Sequence, residues 1–411
     1  MRLLFLTFYF RPDLSAGSFR ATSLVGELAV SPGPIESIEV LSTMPNRYST
    51  FREAAEPHEA DGIVRIDRFA VRGHASGLVD QVMTFASYAL PALRAARSRR
   101  FDAVFATSSR LFTAFLGAVV ARTRRVPLYL DIRDIFVESI GPLLPRWIRW
   151  AALPVLEAIE SFTIRSATKV NLVSEGFRGY FESKYPQTRF SYFTNGIDDE
   201  FLEQPPAAQS PVAPQSLPAS ESPVASDRVG RRPTILYAGN IGEGQGLHQI
   251  LPELARRTAD RYDFVVVGDG GTRTQLAVAA QGLTNLKLVP PVKRTELRAM
   301  YGQAAVLFLH LNDMPAFRRV LPSKLFEYAA TGKPVLAGVA GHAAGFVERE
   351  IRNAAVFPPC DVDGAMAALA RLRLEPTDRR DFIERFARKR VAREMSRDIV
   401  ESLAPGRGPA A

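Results

Sequence analysis

Residues 317–341 read FRRVLPSKLFEYAATGKPVLAGVAG, a charged and polar turn set between two apolar stretches. Pro322 and Ser323 suit the first turn of a helix, because proline fixes φ and lacks an N–H that would go unpaired there. The helix is expected over Lys324–Thr331. Gly332 ends it, Lys333-Pro334 blocks its continuation, and VLAGV, residues 335–339, reads as a buried strand. A helix start carries free N–H groups that attract phosphate, and Lys324 adds a mobile positive charge in the same turn. Ser323, Lys324 and Leu325 are therefore candidate contacts of an anion. Glu327, one turn on, is placed to accept hydrogen bonds from vicinal hydroxyls.

Working outward, strand and helix patterns alternate twice over. In the first half RLLFLTFYF (2–10), SIEVLST (37–43), DAVFATSS (102–109), PLYLDIRD (127–134), KVNLVS (169–174) and RFSYFTNG (189–196) read as strands, separated by amphipathic helices such as RATSLVGELAV (20–30). In the second half TILYAGNIG (234–242), DFVVVGDG (263–270), NLKLVPP (285–291), AVLFLHLN (305–312), PVLAGV (334–339) and AAVFPPC (354–360) repeat the scheme. Short β-rich runs alternating with helices imply parallel sheets covered on both faces. The expected fold class is α/β, with two doubly wound, Rossmann-like domains. Ligands in such folds sit beyond the carboxyl ends of the strands.

Between the halves, residues 203–232 are rich in Pro, Ala and Ser and lack apolar periodicity, which reads as a disordered or extended linker. The expected domains are thus 1–202 and 233–378. Residues 379–411 hold one last helix, DFIERFARKRVAREMSRDIVESL (381–403), and a tail. Phe382, Phe386, Val391, Met395 and Ile399 give that helix an apolar face, which reads as crossing back to the first domain.

At 411 residues the chain is long enough for two ordinary domains, each with its own core. The single Cys360 forms no internal disulfide and builds no cysteine zinc site, which suits a reducing cytoplasm. The opening MRLLFLTFYF is too short an apolar run for a signal peptide and is followed by RPD, with no small-residue cleavage site. No apolar run reaches about 18 residues, so the chain reads as soluble or peripheral. A net charge of +9, spread among arginines, fits anionic substrates or an anionic membrane surface. Nucleic acid is not the expected partner, since no helix-turn-helix, finger or aromatic-basic motif is present.

Other stretches carry candidate chemistry. In RPDLSAGSFRA (11–21), Gly17 and Ser18 open a helix where a ligand approaches backbone closely, and Arg20 is placed to meet an anion. LDIRDIFVES (130–139) sets Asp131, Arg133, Asp134 and Glu138 after a buried strand, costly unless paired or functional. In YAGNIGEGQGLHQILPEL (237–254), Gly239, Gly242, Gly244 and Gly246 form a backbone-exposing loop suited to a diphosphate, with Asn240 inside it. It is not a Walker loop, because the lysine and hydroxyl residue are missing. VVVGDGGTRTQL (265–276) adds a second glycine turn at Gly268, readable as structural or as ligand-binding. His248 and His310 lack metal-ligand spacing and read as ordinary polar residues. Residues 79–100, ending in Arg94, Arg97, Arg99 and Arg100, and 143–156, with Trp147 and Trp150 beside Arg146 and Arg149, read either as core helices or as lipid-touching ones.

With these residues in place, the chain resembles glycosyltransferase family 4, most specifically in PSKLFEYAATGKPVLAG, YAGNIGEGQGL and LDIRDIF. Within it the resemblance is to the bacterial surface-polysaccharide branch typified by an O-antigen N-acetyl-L-fucosamine transferase. The resemblance implies a GT-B architecture with two domains facing a central cleft and retaining transfer. It also implies a nucleotide-diphosphate sugar held by the C-terminal domain, a glycan or polyprenyl-diphosphate-linked acceptor held by the N-terminal domain, and no cofactor or essential metal. Glu327 matches the second glutamate of the family's paired motif, the one that contacts the donor ribose. Where the first is expected, Arg319 stands, and Asn240 and Gln245 replace the usual arginine and lysine. Arg319, Lys324 and Arg20 are then the candidate cations for the leaving diphosphate, and domain closure would bring Asp131, Arg133 and Asp134 towards the donor as catalytic candidates beside Glu327. A nucleotide-sugar epimerase of the same plan and an inactive nucleotide-sugar-binding partner remain alternatives.

Overall fold

The computed structural model describes every residue except 14, 31–32, 34, 47–53, 72–77, 109–110, 141–145, 203–231 and 405–411. The linker expected at 203–232 therefore lies outside the described residues, Arg232 apart. The chain divides into two units. The first comprises Met1–Asp198, Arg319–Ser323 and Arg385–Ala411, and the second Asp199–Arg318 and Lys324–Glu384.

In the first unit the strands are β1 (Arg2–Leu6), β2 (Ser37–Thr43), β3 (His58–Asp61), β4 (Val64–Phe69), β5 (Ala103–Thr107), β6 (Leu128–Ile132), β7 (Lys169–Leu172) and β8 (Phe190–Ser191). They lie in the order β3-β4-β2-β1-β5-β6-β7-β8, parallel except for the β3–β4 hairpin at one edge. Helices α1 (Ala16–Val30), α2 (Leu78–Ser98), α3 (Leu111–Arg124), α4 (Phe136–Ile140), α5 (Arg146–Arg165) and α6 (Arg178–Lys184) connect them. The hairpin is absent from the sequence reading. Its first strand, HEAD, is polar and mostly exposed, so it has no apolar alternation to detect; the Asp61-Gly62 turn, with Gly62 at φ +57°, was the available signal.

The second unit holds β9 (Thr234–Ala238), β10 (Asp263–Val267), β11 (Leu286–Val289), β12 (Val306–His310), β13 (Val335–Gly338) and β14 (Ala354–Phe357), all parallel in the order β11-β10-β9-β12-β13-β14. Its helices are α7 (Leu247–Arg257), α8 (Arg273–Ala279), α9 (Arg294–Gln303), α10 (Lys324–Ala330), α11 (Gly341–Glu350), α12 (Val362–Arg371) and α13 (Arg380–Phe386), and α14 (Arg388–Leu403) closes the chain. Both sheets are doubly wound, as the alternation implied. Strand order reverses between β1 and β5 in the first and between β9 and β12 in the second, and these switch points leave a crevice at the strand carboxyl ends.

Strand β1 shows how the first core is made. Leu4 and Leu6 point to one face, with Tyr88, Val104 and Leu130; Leu3 and Phe5 point to the other, with Leu24 and Leu28 of α1 and Met395, Ile399 and Leu403 of α14. Phe5 stacks on Phe105 at 4.3 Å, and Phe105 on Tyr129 at 5.9 Å, a row of rings across β1, β5 and β6. The terminal helix is thus core to the first unit. It is not the single helix read over 381–403. Ala387 is extended (φ −54°, ψ 126°) and pairs with Ile197, Ile197 N–H donating to Phe386 O at 2.7 Å and Arg388 N–H to Ile197 O at 2.8 Å. Those strand-like bonds replace the helical ones and split the segment into α13 and α14.

Candidate functional site

In the second unit the site residues gather at the β9–β12 switch point. The loop after β9 begins at Gly239 (φ +146°), where a Cβ would meet Lys324 Cε at 2.0 Å and Nζ at 2.3 Å. The flexible end of the lysine side chain therefore lies on the glycine backbone, whose positive φ favours glycine. Burial lowers the Lys324 pKa, with the charge of Arg294 acting in the same direction and Glu327 opposing both. Among the described residues Lys324 Nζ has no hydrogen-bond acceptor. Helix α10 has only two turns, so its dipole is weak and the lysine is the larger positive element here.

Tyrosines that the sequence reading overlooked fix α10 in place. Tyr328 is fully buried, its hydroxyl accepting the Ala238 N–H at 3.1 Å at the end of β9. Tyr301 packs edge-on against Tyr328 at 5.4 Å and extends its hydroxyl to Glu327 Oε2 at 3.4 Å. Burial raises the pKa of both phenols, so both act as neutral hydroxyls. Arg294 at the start of α9 pairs with Glu200 at 2.9 Å. Leu325 is buried in the core, so a ligand contact there falls to its backbone.

The rest of the glycine loop braces itself. Asn240 Nδ2 donates to Gln245 Oε1 at 2.8 Å, and that oxygen also accepts from Gly242 N at 3.3 Å. The two amides that stand in for basic residues thus hold the loop shut on its own backbone. Gly268 (φ +145°) lies against Gly239, where a Cβ would come within 1.8 Å of the Gly239 carbonyl oxygen. This close packing is one reason for the glycine. His310, at the end of β12, accepts from Cys360 N at 2.9 Å through Nε2 and meets the Gln245 carbonyl at 2.6 Å through Nδ1. Those partners make the ring neutral with its proton on Nδ1, and burial lowers its pKa to about 4.

In the first unit the candidate residues meet at the carboxyl ends of β1, β6 and β7. Arg20, on α1, is buried and grips Asp131 with two bonds, Nε to Oδ2 at 2.9 Å and Nη2 to Oδ1 at 3.0 Å. It also donates to the carbonyls of Thr194 at 2.5 Å and Phe193 at 2.8 Å, while Asn171 donates to Asp131 Oδ1 at 2.8 Å. Burial alone would raise the Asp131 pKa, but the charge and hydrogen bonds of Arg20 lower it, so the carboxylate stays ionised. The expectations that Arg20 meets a ligand anion and that Asp131 acts in catalysis give way to a structural ion pair joining α1, β6 and β7. Arg133, which sequence proximity offers to Asp131 or Asp134, sends Nη1 to the Ala16 carbonyl at a long 3.4 Å. Its pKa falls to about 10, first through burial and then through the charges of Arg20 and Arg388, against the pull of Asp131. Gly17 lies in the first turn of α1, and Asp134 is half-buried in the turn before α4.

Arg319 and Ser323 group with the first unit, apart from Lys324 and Glu327. The Arg319 guanidinium sits 3.6 Å from Glu138 and 5.8 Å over the Tyr180 ring. Arg388, which no local signal marks, is buried and pairs with Asp198. Among the described residues no cluster of three or more His, Cys, Asp or Glu side chains is arranged to hold a metal ion. None of the described helices is long and apolar enough to cross a membrane. Of the arginines proposed for lipid, Arg99 is engaged by Glu39 and Asp67, whereas Trp150 is 76% exposed.

Comparison with known proteins agrees with the two-domain fold. Residues 38–196 match the family described as Glycosyl transferase 4-like domain, and residues 232–374 the family described as Glycosyl transferases group 1. WcaI of Escherichia coli (strain K12), described as a colanic acid biosynthesis glycosyl transferase, is 31% identical over 173 residues, which are 40% of this chain and 42% of that protein. The chain thus matches well under half the length of that relative. Among solved structures, sucrose-phosphate synthase of Thermosynechococcus elongatus superposes with a TM-score of 0.70 at 14% identity, covering 99% of this chain and 100% of the other. HepE of Anabaena in complex with UDP-glucose gives 0.63 at 14%, with 98% and 100% covered. The lipopolysaccharide glycosyltransferase WaaG gives 0.62 at 14%, again with 98% and 100% covered. The chain therefore carries the two domains of a GT-B glycosyltransferase, a glycosyl transferase 4-like domain followed by a group 1 glycosyl transferase domain.

Proposed function

We propose that this protein transfers a sugar from a nucleotide-diphosphate donor to a glycan or polyprenyl-diphosphate-linked acceptor, with retention of anomeric configuration, in bacterial surface-polysaccharide synthesis. The observation that carries the reading is the Lys324 ammonium, laid on Gly239 at a topological switch point with no hydrogen-bond acceptor among the described residues. Desolvation without a partner is unfavourable for a cation, and a donor diphosphate relieves it. Glu327, one turn along α10, takes the ribose hydroxyls.

The chemistry asks these groups to stabilise a departing diphosphate. The bond from the anomeric carbon to the phosphate oxygen breaks, one to the acceptor oxygen forms on the same face, and the leaving phosphate takes the acceptor proton. Lys324 supplies the positive potential, so no metal is required in this scheme. Arg133 and Asp134 are proposed on the acceptor side. The resemblance to O-antigen N-acetyl-L-fucosamine transferases favours an N-acetylated deoxyhexosamine and an O-antigen product, and the description of WcaI favours a polysaccharide of the colanic acid kind. Exposed Trp150, Val155 and Phe162 on α5, with Leu90 on α2, suit a peripheral position on an anionic inner membrane face, where such an acceptor resides.

The test is incubation with a panel of nucleotide sugars, with and without a polyprenyl-diphosphate-linked sugar. Donor consumption only when acceptor is present supports transfer. Isomerised donor would instead indicate an epimerase, and binding without turnover an inactive partner.

A further inference from the structure

The ion pair between Arg319 and Glu138 has a chemistry of its own. Glu138 lies on α4, just past the carboxyl end of β6, and Arg319 is held beside the carboxyl end of β7 by Ser174, whose hydroxyl donates to the Arg319 carbonyl at 2.6 Å. The guanidinium is steadied from below by the Tyr180 ring at 5.8 Å, and Tyr180 is itself fixed by its hydroxyl bond to Glu160 at 3.0 Å. Glu160 is buried and also accepts from Lys184 and Tyr185, both at 2.9 Å, so the platform beneath Arg319 is rigid.

The pair itself is incomplete. Arg319 Nη2 stands 3.6 Å from Glu138 Oε1, beyond hydrogen-bond length. Glu138 Oε2 is buried and has no donor, and the Arg319 side chain makes no hydrogen bond among the described residues. Glu138 Oε1 thus stands beside unused donors on Arg319, with the two side chains still 28% and 39% exposed. A cation would be repelled by the arginine and an anion by the glutamate. A hydroxyl, which donates and accepts at once, satisfies both.

We infer that Glu138 binds hydroxyl groups of the acceptor sugar in the first unit, accepting from their O–H, with Arg319 as the residue that positions it and donates N–H to the same hydroxyl oxygens. This inference rests on the proposed transferase reading and adds to it the acceptor contact. The acceptor is therefore recognised through neutral vicinal hydroxyls at this point, whatever carries its charge elsewhere.

The experiment uses the full chain and two calorimetric titrations, one with UDP and one with farnesyl-diphosphate-linked N-acetylglucosamine as acceptor probe. Glu138→Gln and Arg319→Gln should each weaken the acceptor probe by about 10- to 100-fold, the range of a hydrogen bond to a charged group, while UDP affinity stays within about twofold. Glu138→Asp, which keeps the charge, should fall between wild type and Glu138→Gln and guards against a folding defect. Unchanged probe affinity in Glu138→Gln, or loss of UDP and probe affinity together, overturns the assignment of Glu138. Wild-type protein that binds the probe but no UDP or other nucleotide diphosphate overturns the transferase reading instead. Wild-type protein that binds nucleotide but not the probe overturns the acceptor contact alone.

Discussion

Lowering the pH from about 7 to about 5 should weaken the second unit through one side chain, His310, and the size of the effect follows from its surroundings. The ring is fully buried, stacked between Phe308 at 6.0 Å and Phe357 at 6.1 Å, with both nitrogens bonded to backbone. Protonation of Nε2 would break its bond to Cys360 N–H and place a charge in an apolar core, so the folded pKa drops from 6.5 to about 4. The unfolded chain takes up the proton first as pH falls. Stability from this group is therefore complete above the unfolded value and lost as pH falls through the window between about 6.5 and about 4. At 1.36 kcal/mol per pKa unit, the loss at pH 5 is about 2 kcal/mol. His310→Phe keeps the stacking but leaves the Gln245 carbonyl and Cys360 N–H unpaired, costing about 2–6 kcal/mol near neutrality. Urea unfolding followed by circular dichroism, fitted with one transition per unit, should show the wild-type advantage shrinking by about 2 kcal/mol between the two pH values. Parallel stability curves for wild type and variant would refute a neutral, buried His310.

Three other outcomes are expected. Gly268→Ala, whose Cβ would lie 1.8 Å from the Gly239 oxygen at φ +145°, should destabilise the second unit by at least about 3 kcal/mol, while Gly271→Ala, with nothing within 4 Å, should stay within about 0.5 kcal/mol; equal melting points for the two would contradict the glycine packing. Glu327→Ala should lower kcat/KM for the donor by about 10- to 100-fold with an unchanged melting curve, and near-normal turnover would remove Glu327 from the donor site. Anionic vesicles should pellet the protein in low salt, less so for Trp150→Ser, and protein left in the supernatant would end the membrane proposal.

The doubly wound sheets were legible because buried parallel strands are continuous apolar runs, and twelve of them stand out from the helices between. The β3–β4 hairpin was not, since an edge strand exposed on both faces needs no apolar side chains. Within the site, glycines were readable as places of close approach, but what approaches them was not. Gly239 meets a lysine 85 positions along the chain, and Gly268 meets Gly239 itself. The arginines show the same limit more sharply. Sequence proximity offered Arg133 to Asp131 or Asp134, whereas the fold gives Asp131 to Arg20, 111 positions away, and among the described residues leaves the Arg133 side chain a single long bond. Charge type is local information and charge pairing is not.

The terminal helix α14 has a consequence for how the protein is made. Its Met395, Ile399 and Leu403 close the face of the first sheet that holds Phe5, and Arg388 pairs with Asp198. The first unit begins at Met1, yet its core is complete only when residue 403 has been delivered. During synthesis the second unit is therefore the first able to finish folding, reversing the usual order in which N-terminal domains fold ahead of their successors. Until then the growing chain carries an uncovered apolar sheet face through most of its translation, a natural substrate for chaperones. A fragment ending at the linker would keep that exposed face permanently and should aggregate.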